Sequence, residues 1–144
     1  MNINETLRLW IEDQKENYES LIDLPVLTGG GDTDIEPPCI IITTTGSAER
    51  QDSGVVMYGV SDFTISIELH TLPVLDEDGG TSPYDDRQAA RDLYEIIADR
   101  NAIDALSDAA FWRIFDIRTE GFNTEPSDGR RVTTYPITVT ACPI

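Results

Sequence analysis

A chain of 144 residues is long enough for one well-packed core and too short for two ordinary domains. Hydrophobic residues at 40% and charged residues at 26% are globular values, and no apolar run approaches the roughly 18 residues a membrane span requires. The 27 acidic residues against 10 basic ones leave a net charge of -17, and Arg130-Arg131 is the only adjacent basic pair, which argues against nucleic-acid binding through phosphate neutralisation.

The apolar residues Leu7, Trp10, Ile11, Tyr18, Leu21 and Ile22 recur at helical spacing, which predicts an amphipathic helix from Asn4, its N-cap, to about Ile22. Leu24-Pro25 ends it, and Gly29-Gly30-Gly31 with Asp32, Asp34 and Pro37-Pro38 predicts a loop. The β-branched run from Cys39 to Thr45 predicts a buried strand. Ser47 to Ser53 is polar and too long for a tight turn, so it reads as a protruding hairpin loop.

From Val55 to Leu72 comes the clearest alternation, with Phe63, Ile65, Ile67 and Leu69 on one face and Thr64, Ser66, Glu68 and His70 on the other. A break near Gly59 would divide this stretch into two strands. A second loop, Asp76 to Gly80, leads to Ser82-Pro83-Tyr84-Asp85, a sequence suited to start a helix. Ala89, Leu93, Ile96 and Ile97 form its buried stripe, Asp85, Asp86, Arg87, Arg91 and Asp92 point outward, and the helix ends near Asn101. Ile103 to Leu106 predicts a short extra turn.

Phe111 to Arg118 and Val132 to Cys142 read as two strands joined by a polar loop at Pro126-Ser127-Asp128-Gly129. Pro136 lacks a ladder donor and marks the last strand as an edge or as bulged there. The order α-β-β-(β)-α-β-β predicts one α+β domain over residues 1–144, mainly an antiparallel sheet with two helices packed on one face.

The search for chemistry finds little. His70, the one histidine, lies on the polar face of a strand and reads as a solvated surface residue rather than the base of a triad. Cys39 and Cys142 lie far apart without a C-x-x-C pair, so two buried reduced thiols are expected and neither a disulfide nor a zinc site. The carboxylates from Asp76 to Asp86 miss the calcium-loop register, which puts Gly80 and Arg87 where ligands are wanted. Asp32 and Asp34 after the triple glycine would repel a phosphate. No catalytic residue, metal or cofactor is expected, and the N-terminal residues show no export signal.

The order of elements resembles the tail terminator and related neck proteins of long-tailed bacteriophages, small subunits that form hexameric rings. The resemblance covers nearly the whole chain. It rests on Leu7-Arg8-Leu9-Trp10-Ile11 in the first helix, Pro-Cys-Ile-Ile-Ile at 38–42, the polar hairpin loop, the Phe63 to Leu69 strand, the helix with Arg91-Asp92-Leu93-Tyr94 and the closing hairpin. It implies a virion protein of the neck or tail top, assembled in the host cytoplasm. That protein is a homo-hexameric ring that caps the tail tube, ends its polymerisation and meets a head-side connector or stopper protein. DNA would pass through its lumen without specific binding, since carboxylates lining a pore repel phosphate.

The same resemblance makes the polar loops candidate contacts: Glu49, Arg50, Gln51 and Asp52 in the first, Asp76, Glu77 and Asp78 in the second, with Arg130 and Arg131 as further candidates. Two other classes stay open, a head-completion or tail-tube-like subunit and a small stand-alone ligand-binding domain. A tube subunit would grow into filaments where a terminator closes as a ring. A ligand-binding monomer would need a deep apolar pocket with convergent polar groups.

Overall fold

The N-terminal apolar stripe folds as helix α1 (Ile3–Gln14), which buries Ile3, Leu7, Trp10 and Ile11. This computed structural model describes residues 3–29, 38–52, 55–72, 86–99, 112–127 and 130–143, with side chains described outside 48–59, 86, 112, 127 and 143. The expected start of the second helix at Ser82 and the short turn at 103–106 lie outside them, as does the 76–80 loop.

α1 is shorter than its periodicity predicts because the chain turns after it. A single 3-10 turn (Lys15–Asn17) ends at Tyr18 in extended conformation. Lys15, the chain's one lysine, is buried; its Nζ donates to the Leu24 carbonyl at 2.6 Å and pairs with Glu12 at 3.3 Å. A buried ammonium needs such partners, and this one ties the chain at Leu24 back onto the end of the helix. Leu21 still reaches the core, whereas Ile22 is exposed. Asn4 lies inside the first turn rather than at a cap, and its side-chain oxygen accepts a hydrogen bond from Thr44.

The expected loop after the helix contains a strand, β1 (Val26–Thr28), which pairs parallel with β2 (Cys39–Asp52) in the register Val26↔Ile40. Glu5 links α1 to this edge. It accepts from Arg8 at 3.1 Å and from Thr28 at 3.1 Å, and these two donors hold its carboxyl below the ordinary glutamate range.

β2 does not stop at Thr45. It runs on through the polar segment to Asp52 and pairs antiparallel with β3 (Val55–Thr71), so the expected protruding loop is a pair of long strands. β3 is continuous past Gly59. Register shifts between Thr44 and Gly46 and between Glu49 and Gln51 bend this ribbon, as β-bulges do.

Helix α2 (Asp86–Ala98) buries Ala89, Ala90, Leu93, Ile96 and Ile97. Arg87 and Arg91 are exposed, but Asp92 is buried. Its carboxylate accepts from Ser20 at 2.5 Å and from Gln88 at 2.8 Å, and these donors offset the loss of water. Burial, with the nearby charges of Glu95 and Asp92, pushes the Tyr18 phenol up in pKa, so the segment after α1 is packed against α2.

Strands β4 (Trp112–Thr119) and β5 (Asn123–Ser127) both pair with β6 (Arg130–Pro143), and β5 occupies part of the expected polar loop. The sheet order is β1-β2-β3-β6-β4, with β5 beside β6 in the line of β4. β6 is therefore an interior strand, not an edge. Pro136 is accommodated because its neighbour is interrupted there. β4 ends at Thr119↔Ile137, β5 begins at Asn123↔Thr134, and Glu120 donates to the Pro136 carbonyl at 3.4 Å. A residue's N–H and C=O point to the same neighbour in an antiparallel ladder, so the missing donor of Pro136 faces this gap.

Gly121 turns the chain across the gap with φ 88°, a conformation costly for a side chain. An added Cβ would meet nothing within 4 Å. Gly121→Ala is therefore expected to lower unfolding stability by about 1 kcal/mol through backbone strain alone. A urea midpoint unchanged from the parent would show that the reversed turn is not required.

One face of the sheet carries the core. Ile40, Ile42, Ile65, Ile67, Leu69, Tyr135, Ile137 and Val139 pack with the buried faces of both helices in a single cluster, and Phe63 joins it partly covered. The opposite face is polar, with Thr43, Thr64, Ser66, Glu68, Thr134 and Thr138.

Candidate interaction surface

The candidate contact residues fall in different places. Glu49 to Asp52 lie on the β2–β3 ribbon, Asp76 to Asp78 lie outside the described residues, and Arg130 and Arg131 open β6. The ribbon has an unusual position. β3 meets β6 only from Ser61↔Ala141 onward, while its pairing with β2 continues to Asp52↔Val55. Residues 50–52 and 55–60 thus form a short, bulged arm past the last β3–β6 pair, with Gln51↔Val56 and Asp52↔Val55 as its register pairs. At about 3.3 Å per residue its β2 side extends roughly 10 Å. A two-stranded hairpin is marginal in water by itself, so such an arm gains from a surface to lie on.

Arg130 and Arg131 separate because successive strand residues face opposite sides. Arg130 acts on the thiol of Cys39, lowering its pKa against a larger rise caused by burial. Arg131 instead joins Arg87 and Arg91 of α2 around a small cavity of about 190 Å³, whose wall also includes Phe122, Thr124 and Thr133. Phe122 is exposed and stacks on Tyr94 and on Tyr135, each at 5.3 Å between ring centres. Three of the chain's nine arginines therefore converge on one spot of a molecule with net charge -17.

At the other end of α2 lies an open cleft of about 680 Å³ between Ile97–Asp99 and the edge strand β4. Among the described residues Asp99, Asp116 and Glu120 line it together with Arg118, which is 3.8 Å from Asp116. The last turn of α2 has no basic residue, so the negative end of the helix dipole adds to the carboxylates. Sequence reasoning singled out neither pocket. The i, i+4 spacing of Arg87 and Arg91 placed them on one helix face, but only the fold adds Arg131 or joins Asp99 to Asp116.

His70 is not a solvated surface residue. Its side chain is 14% exposed, its Nε2 lies 3.2 Å from Glu68, and its Nδ1 is buried without a hydrogen-bond partner. It sits opposite Cys39 in the β2–β3 register, which sets a thiol, an imidazole and a carboxylate in a row. That row lacks the chemistry of a nucleophilic pair. Cys39 is fully buried, burial pushes its pKa up, and the unpartnered Nδ1 makes no hydrogen bond to the thiol. Cys142 is half-buried rather than buried, and both thiols are free. Among the described residues no group of three or more His, Cys, Asp or Glu is placed to hold a metal ion, and no helix is long and apolar enough to cross a membrane.

No protein-family model matches the chain, and no curated protein matches it significantly.

Proposed function

We propose that the chain is a structural virion subunit, a ring-forming tail terminator of a long-tailed bacteriophage that caps the tail tube and ends its growth. The observation that carries this reading is the β2–β3 arm, which runs past the last β3–β6 pair and has register pairs only between its own two strands. Such an arm suits a subunit whose neighbours complete its surface. The tail tube protein and a head-side connector or stopper are the partners on either side of the ring.

The net charge of -17 fits a pore through which DNA must slide, because carboxylates repel phosphate and disfavour binding. The row of Cys39, His70 and Glu68 offers no activated nucleophile. The protein in this reading works by position and shape, without a catalytic residue or cofactor.

The test is the mass of the purified chain by light scattering across salt concentrations, followed by addition of purified tail tubes. A closed hexamer, or a monomer that becomes a ring at tube ends and halts their growth, is the expected result. Open-ended filaments would instead assign a tube subunit. A monomer that ignores tail tubes at every salt concentration would overturn the reading.

A further inference from the structure

We infer that His70 is a proton-sensitive latch: a proton taken up by its imidazole releases the side chain from the sheet and opens a way to the buried thiol of Cys39. The latch operates within one subunit, whether or not copies assemble.

It follows from an imbalance in hydrogen bonding. Nε2 of His70 lies 3.2 Å from the carboxylate of Glu68, and Nδ1 is buried with no hydrogen-bond partner. An ionised carboxylate only accepts, so the hydrogen of the neutral imidazole sits on Nε2 and Nδ1 carries a bare lone pair. The protonated form has two N–H donors and needs an acceptor for each. Glu68 serves one and favours the positive charge, while the new donor at Nδ1 finds neither an acceptor nor water. A buried donor on a charged group is more costly to leave unpaired than a neutral one. Turning the side chain outward gives both donors to water.

Among the described residues, three elements set groups around the imidazole. Glu68 precedes it by two positions on β3. Cys39 on β2 is its register partner, a thiol that burial keeps protonated. On β6 the register partner is Val132, and Arg130, two positions earlier, is near enough to Cys39 to act on its thiol. A guanidinium there opposes a second positive charge and offers no acceptor. Directly opposed residues have Cβ atoms about 4.5–5.5 Å apart, so Cys39 loses an adjacent shield when the imidazole swings away. The thiol is fully buried in the closed state and therefore reports the opening.

The experiment uses the full chain, whose one histidine and two cysteines can each be followed separately. Heteronuclear NMR of the imidazole nitrogens reads the protonation of His70. Peptide mass spectrometry reads the reaction of Cys39 with dipyridyl disulfide, which stays reactive in acid. Dividing by the rate for the same peptide in the urea-unfolded chain removes the pH dependence of the thiol itself and leaves the protection given by the fold. From about pH 8 to 5, the interval in which histidines exchange their charge, protection at Cys39 should fall in step with protonation of His70. The expected fall is about tenfold or more, the order set by one unsatisfied buried donor. His70→Gln, which hydrogen-bonds but takes up no proton, should make that protection independent of pH.

Protection that stays constant while His70 titrates, or that falls equally in His70→Gln, would overturn the latch. An imidazole that stays neutral down to the pH at which the whole chain unfolds would overturn it as well.

Discussion

Tyr135→Ala is expected to lower unfolding stability by about 3–5 kcal/mol, the range for removing a large aromatic from a core. Tyr135 is 1% exposed and sits in the middle of β6 opposite Ile67. Its ring packs against Phe122, and its hydroxyl donates to the Ala90 carbonyl of α2 at 2.6 Å. It thus joins the central strands to the helix, and Ala89 and Ala90 leave room for the close approach. A domain of this size is stable by only about 5–15 kcal/mol, so the alanine variant would lose a large part of its margin.

Tyr135→Phe separates the two contributions. It keeps the ring and removes one hydrogen bond, which predicts a loss of about 1 kcal/mol. Urea unfolding with an unchanged slope measures both variants. A phenylalanine variant as unstable as the alanine one would mean that the hydroxyl, not the packing, holds α2 to the sheet. An alanine variant within 1 kcal/mol of the parent would contradict the packing described here.

What the sequence shows of this fold depends on how local the cause is. The alternation from Phe63 to Leu69 and the stripe of Ala89, Leu93, Ile96 and Ile97 are legible because one buried face imposes a period on neighbouring residues. β1 has three residues and β5 is Asn-Thr-Glu-Pro-Ser, so neither carries a pattern. Both become strands because a long neighbour supplies the ladder. The same holds for the polar residues 47–52, which read as loop and are held extended by β3.

Pro136 shows the limit of a sound local rule. Its missing N–H excludes an unbroken ladder on one side, and the rule cannot tell whether that side faces solvent or a gap between β4 and β5. Asp92 is buried through its bond to Ser20, 72 positions away. His70 is covered although strand alternation put it on the polar face. The arginine pocket joins residues from α2 with one from β6, and no spacing in the chain marks them as neighbours.

Shortening the β2–β3 arm is expected to abolish assembly and leave the fold of the subunit intact. Glu49 and Ser61 are register partners at the base of the arm. Replacing residues 50–60 with Asn-Gly joins them through the two-residue turn favoured between paired strands. The ladders of β2 with β1 and of β3 with β6 begin inside this base, so the substitution removes no pairing except that within the arm. Unfolding stability should then stay within about 1 kcal/mol of the parent, since the removed ribbon is marginal alone. Rings, or capping of tail tubes, should be lost. A shortened chain that assembles like the parent would deprive the arm of its role and the proposed function of its main support. A shortened chain that no longer folds would show that the arm belongs to the subunit's own stability, in which case its reach past β6 says nothing about neighbours.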